Sequence, residues 1–192
     1  MTTPTTERAD HLFQLADGQA GYFTARQARA LGYGYPAQHY HLERGHWQRV
    51  GHGLYRLGRY PLGEYEQLAA LTLWSRDRAG TPQAVVSHHT ALGLHGLSDL
   101  LPEHLHLSVP PGFRKPPPPG VVLHRATWQA DETQTRHGFM LTDVQRTLAD
   151  LIGVLPDDTV QAGAVQAGAL GLLSEAAVAR LLDRLAAAEA PA

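Results

Sequence analysis

Between positions 26 and 56 the chain sets five arginines, Arg26, Arg29, Arg44, Arg49 and Arg56, among Ala37, Gln38, Tyr40, His41 and His52. Guanidinium forks and ring edges in such density suit the phosphates and base edges of a nucleic-acid groove. A second group is imidazole. Of twelve histidines in 192 residues, His88-His89 lie near His95, and His104 and His106 near His124. If 104–109 and 121–126 pair as strands, three of these rings can converge as on a metal. No acidic ligand has an evident place beside them, and His39, His41, His46 and His52 show histidine throughout the chain. Half-buried and surface histidine is therefore the preferred reading, and neither metal nor other cofactor is expected.

Signatures of other chemistry are missing. The chain has no phosphate loop with its lysine, no His-Glu-x-x-His, no Gly-x-Ser-x-Gly, no nuclease-like cluster of carboxylates and lysine, and no cysteine. The expectation is a protein that is not an enzyme. Asp157-Asp158, beside Pro156, reads as a helix N-cap, and Arg114-Lys115 as the solvated tip of a loop running into Pro116 to Pro119.

The arginine-rich segment needs a scaffold, and the first sixty residues spell one. Leu12, Leu15 and Ala16 mark an amphipathic helix over 7–17, followed by a β-like stub at Tyr22-Phe23. Thr24 and Gln27 have capping-box spacing for a second helix over 25–31. A turn at Gly32 to Tyr35, Pro36 at a first helical position and Gly45 as terminator define a third. Two strand-like runs, 47–50 and 54–57, joined at Gly51-His52-Gly53, complete a winged helix-turn-helix. With Leu42 fixing the buried side of the third helix, His39, Gln38 and Tyr35 lie near that side, Gln38 at its margin, and Ala37, Tyr40, His41 and Arg44 face outward. The wing offers Arg49, His52 and Arg56, with Trp47, Val50 and Tyr55 as core, while Arg26 and Arg29 reach the phosphate backbone.

Charge divides at the same place. Residues 1–60 hold seven basic residues against four acidic ones, whereas 61–192 hold nine against fourteen. A basic module tied to an acidic one points to double-stranded DNA for the first and another partner for the second. The second region, 61–192, reads as a helix over 64–78 with Leu68, Leu71, Thr72 and Ser75 inward. A strand at Val85-Val86, a Ser87-capped helix to Leu94, the two strands 104–109 and 121–126, and a strand at 139–141 follow. A helix over 143–152 capped by Thr142 and Gln145, a small-residue helix over 157–173 and a Ser174-capped terminal helix complete it. The expected class is α+β: a winged helix-turn-helix over 1–60, then a mixed α/β domain over 61–192 with a small sheet flanked by helices. No apolar run reaches the length of a membrane span and the polar start is no signal peptide, so the chain reads as cytoplasmic.

Several segments resemble the AbiEi-type antitoxins of bacterial abortive-infection systems. They are Ala20 to Ala28, Arg44-Gly45-His46-Trp47-Gln48-Arg49-Val50 to Tyr55, Ser87-His88-His89-Thr90-Ala91, His106 to Pro110, Gly120 to Arg125, and Thr142 to Leu151 with Arg146-Thr147-Leu148-Ala149-Asp150-Leu151. The resemblance implies a cytoplasmic type IV antitoxin and transcriptional repressor. Its winged domain would bind inverted repeats in its own promoter, and its C-terminal domain would counter a nucleotidyltransferase toxin. Where such relatives often carry several Arg or Lys on the recognition helix, this chain has Tyr40, His41 and a single Arg44, which implies weaker or more pH-sensitive binding. The alternatives are a stand-alone regulator without a toxin, a protein-interaction module, and a His-rich metal-binding protein.

Overall fold

The computed structural model describes residues 4–98 and 102–189. The fold is mixed α+β, and the chain divides into two compact units, Met1–Ala84 with Thr135–Phe139 and Val85–Gln134 with Met140–Ala192.

In the first unit, α1 (Pro4–Asp17), β1 (Tyr22–Thr24), α2 (Ala25–Ala30), α3 (Tyr35–Glu43), β2 (Trp47–Gly51) and β3 (Leu54–Leu57) follow in chain order. The capping box at α2 forms as its spacing predicts: Gln27 N donates to Thr24 Oγ1 at 3.2 Å and Thr24 N to Gln27 Oε1 at 2.8 Å. The strands make an antiparallel sheet in the order β1-β3-β2. Leu12, Ala16, Phe23, Ala28, Tyr33, Trp47 and Tyr55 form the core between helices and sheet, with Phe23 edge-on to Trp47 at 4.8 Å. The base of the wing is clamped on the end of α3. Gly58 N donates to His46 O at 2.8 Å, and a Cβ on Gly58 would collide with the carbonyl oxygen of Gly45.

Because β3 is central, both its faces are covered. Tyr55 faces the helical core, while Leu54 packs with Tyr22 against Ala69 and Leu73 of α4 (Glu66–Trp74). This helix, placed by the sequence reading at the start of the second region, thus packs on the first sheet. It is shorter than the expected 64–78, but Leu68, Leu71, Thr72 and Ser75 are all buried as anticipated.

After α4, β4 (Val85–Val86), α5 (His88–Leu94), β5 (Leu105–Val109), β6 (Val121–Arg125), β7 (Thr133–Arg136), β8 (Phe139–Thr142), α6 (Val144–Leu151), α7 (Asp157–Ala169) and α8 (Glu175–Glu189) follow in chain order. The strand order is β6-β5-β4-β8-β7, with β5 and β6 parallel. The proline-rich connection between those two is held by Arg125, whose Nη1 donates to Phe113 O at 2.6 Å and Pro111 O at 3.1 Å. A core of Leu92, Leu97, Val144, Leu148, Leu151, Val160, Ala164, Ala167, Leu181 and Leu185 joins α5 to α8. The glycines that weaken α7 as a helix let it approach its neighbours: a Cβ on Gly163 would lie 3.0 Å from Leu148, and one on Gly168 3.0 Å from Val178.

Three caps differ from expectation. Asp143, not Thr142, caps α6, accepting from Arg146 N at 2.6 Å, because Thr142 is the buried last residue of β8 and bonds Thr147 across the core. Pro156 precedes α7, which puts Asp157 and Asp158 in its first turn. Ser87 makes no side-chain cap on α5; its Oγ instead accepts from Ser108 Oγ at 2.8 Å.

Candidate nucleic-acid interface

Helix α3 carries one large aliphatic, so its rotation about its axis is decided by polar and aromatic contacts. Gln38 is buried, 3% exposed, and donates through Nε2 to Tyr33 O at 2.8 Å and to Ala25 O at 3.4 Å. It satisfies carbonyls of the turn preceding the helix and is not offered to a ligand. Ala37 packs against the same core. His41, expected outward, is half-buried and lies flat on Trp47, the ring centroids 4.8 Å apart and the planes 13° apart. The inward face is therefore Ala37, Gln38, His41 and Leu42, and Tyr35 and His39 turn outward with Tyr40 and Arg44. This rotation differs from the one expected from Leu42, because a single aliphatic carries too little apolar asymmetry to orient nine residues.

On the outward side the arginines pair with tyrosines. The Arg29 guanidinium lies 5.6 Å from the Tyr35 ring centroid and Arg44 5.4 Å from that of Tyr40. Tyr35, 72% exposed at the N-terminal end of α3, is the site candidate that sequence reasoning missed. The signal was present in its position next to Pro36 at the helix start, where a side chain has no preceding turn to pack on. His39 is also exposed, with its Nε2 3.1 Å from Glu43 Oε1 one turn on. Arg26 is exposed, its Nη1 donating to Arg78 O at 2.7 Å.

The wing separates its candidates. Arg49 and His52 are exposed, Arg49 5.9 Å from the Tyr55 ring centroid. Arg56 is not available: at 5% exposed it sits on the covered face of β3 with Leu54, donating to Tyr60 O at 2.5 Å and lying 3.8 Å from Glu66. Val50, expected in the core, is 48% exposed: three residues on from the inward Trp47, strand alternation sets it on the opposite face, at the register shift between Arg49 and Gly51.

One titratable group with a lowered pKa borders this surface. His41 Nδ1 lies 3.2 Å from His46 Nδ1, and burial, then His46 and Arg8, push the His41 pKa below its ordinary value. The ring is neutral at pH 7 and acts as a packing group.

The two histidine groups of the second unit merge into one. The His88 ring stacks on His124 at 3.5 Å, His106 Nδ1 lies 2.9 Å from His124 Nε2, and His89 approaches His106 at 4.7 Å between centroids. His95 is elsewhere, its Nε2 2.8 Å from Thr142 O. Burial, then the neighbouring imidazoles, lower His88 to about 3 and His106 to about 4. Among the described residues no three His, Asp or Glu are placed to hold a metal ion. Stacked faces pack rings but aim no lone pairs at a common point.

The family model described as "Transcriptional regulator, AbiEi antitoxin" matches residues 10–58, which begin within α1 and end just past β3. No curated protein matches the chain. No described helix is long and apolar enough to cross a membrane.

Proposed function

We propose that the winged unit, similar to AbiEi-type regulators, binds double-stranded DNA sequence-specifically and represses its own promoter. The supporting observation is that the matched segment carries exposed DNA-competent groups on α2, on and just past α3, and on the wing, namely Arg26, Arg29, Tyr35, Tyr40, Arg44, Arg49 and His52. In a winged helix-turn-helix the third helix enters the major groove while the wing and second helix hold the flanking backbone. Tyr40 and Arg44 then approach base edges and phosphates, Arg49 and His52 extend the contact from the wing, and Arg26 and Arg29 grip phosphates. His41 supports this face from beneath, stacked on Trp47. No catalytic group is assigned.

The acidic second unit is proposed to meet a protein, a nucleotidyltransferase toxin encoded alongside, which makes the chain a cytoplasmic type IV antitoxin. The support is the family similarity together with the change of charge sign along the chain. A gel-shift assay on a fragment of its own promoter, run across a salt series, tests the DNA reading: retardation that falls steeply with salt is expected, and no retardation at low salt contradicts it. Growth rescue by co-expression with a neighbouring nucleotidyltransferase tests the antitoxin reading, and unrelieved toxicity contradicts it.

A further inference from the structure

A cavity of about 510 Å³ opens on the first unit, walled by Phe13, Leu57, Tyr60 and Pro61 together with Asp17, His46 and Arg59. Small-molecule sites fall in the range of roughly 300–1,000 Å³ and combine apolar walls with a few polar groups that fix orientation. Both features are present here. Phe13 is 53% exposed, and its ring forms a tilted aromatic pair with that of Tyr60, 6.4 Å between centroids and 49° between planes, on the cavity wall. The polar groups are unequal. Asp17 Oδ1 accepts from the Tyr60 hydroxyl at 2.8 Å and is already engaged, whereas Arg59 is exposed and has no ion-pair or hydrogen-bond partner among the described residues. Of the two, the Arg59 guanidinium is thus the group without a protein partner, and its planar fork matches a carboxylate.

We propose that this cavity binds a small aromatic carboxylate, its ring against Phe13, Tyr60 and Leu57 and its carboxylate on Arg59. None of these residues belongs to the surface offered to DNA, so the inference stands apart from that reading. The site adjoins α3 through His46, whose Nδ1 lies 3.2 Å from His41 Nδ1.

The test is an NMR titration of the full chain with 2-naphthoate, 2-naphthylmethanol and 2-naphthylmethylamine, following the resonances of Phe13, Leu57, Arg59 and Tyr60. The acid is expected to bind about tenfold more tightly than the alcohol, the worth of one charge-assisted hydrogen bond. R59A should abolish that preference, and F13A should weaken acid and alcohol alike while preserving their ratio. Equal affinity for acid and alcohol, preference for the amine, or no saturable shift at these residues overturns the proposal. Shifts of the same residues on dilution without ligand also overturn it, since they identify the occupant as a second copy of the chain.

Discussion

The imidazole of His41 lies flat on the indole of Trp47, 4.8 Å between centroids. This contact joins the third helix to the first strand of the wing, because His41 belongs to α3 and Trp47 opens β2. It turns Tyr40 and Arg44 outward on one side and Tyr35 and His39 on the other. His41→Ala should therefore lower stability by about 1 kcal/mol, the worth of an aromatic pair beyond its buried area. Tyr40→Ala, at an exposed position, should leave the melting temperature near that of the parent. Thermal denaturation of the two variants side by side distinguishes a packing role from a surface one.

Gln38 and Arg56 are polar residues that the fold consumes. Gln38→Ala leaves the carbonyls of Tyr33 and Ala25 without their donor, and Arg56→Ala leaves the Tyr60 carbonyl without its donor and the Glu66 carboxylate without its ion-pair partner. Each should cost about 1–3 kcal/mol in urea unfolding, the penalty for stranding buried polar groups. Affinity for promoter DNA, measured well below the unfolding midpoint, should stay within about twofold of the parent, a change worth under ~0.5 kcal/mol.

Gly58→Ala tests the clamp at the base of the wing. The added methyl meets the backbone oxygen of Gly45, which has no rotamer to change, so the strand must shift. Destabilisation of about 1–3 kcal/mol is expected by calorimetry, as for other overpacked sites. DNA affinity should fall with it, because the same clamp sets the wing against α3.

The sequence made the elements of the first unit readable and left their rotations uncertain. The Thr24–Gln27 box, Pro36, Gly45 and the Gly51-His52-Gly53 link carry local backbone requirements, and the structure realises them at the expected places. Arg56 could not be read as buried, since that depends on α4 covering the second face of β3, a contact between residues far apart in sequence. Tyr35 and His41 were exchanged between faces because α3 has almost no apolar asymmetry to phase it. Val50 is apolar, but strand alternation from the inward Trp47 sets it on the other face of β2. In the second unit, the convergence of His88 and His124 required the parallel β5–β6 pairing, which strand-like runs alone do not specify.

The imidazole cluster sets an acid limit on the second unit. His88 and His106 titrate near 3 and near 4 in the folded chain against 6.5 when unfolded, so below pH 6.5 the unfolded chain binds more protons. Stability contributed by these groups is complete above pH 6.5 and is lost as pH falls from there toward 4 and then 3. Arg146 adds to the repulsion at His88, and Asp150, facing His124, opposes it, while one oxygen of Asp150 is held by Arg146 Nε at 2.7 Å. Urea unfolding at successive pH values should steepen by up to ~1.4 kcal/mol per pH unit for each such histidine. His88→Asn, which tolerates the φ of 52° found there, should flatten that slope. An unchanged slope would place the acid sensitivity elsewhere.

On the proposed reading, Arg44 at the end of α3 and Arg49 of the wing contact DNA. Fluorescence anisotropy with a labelled fragment of the chain's own promoter and a scrambled duplex of equal length measures it directly, at fixed salt, for the parent, Arg44→Ala and Arg49→Ala. The parent should prefer the promoter by at least about 10³-fold, and each substitution should weaken promoter binding by about 1–3 kcal/mol. Equal affinity for both duplexes, or promoter binding untouched by both substitutions, would contradict it.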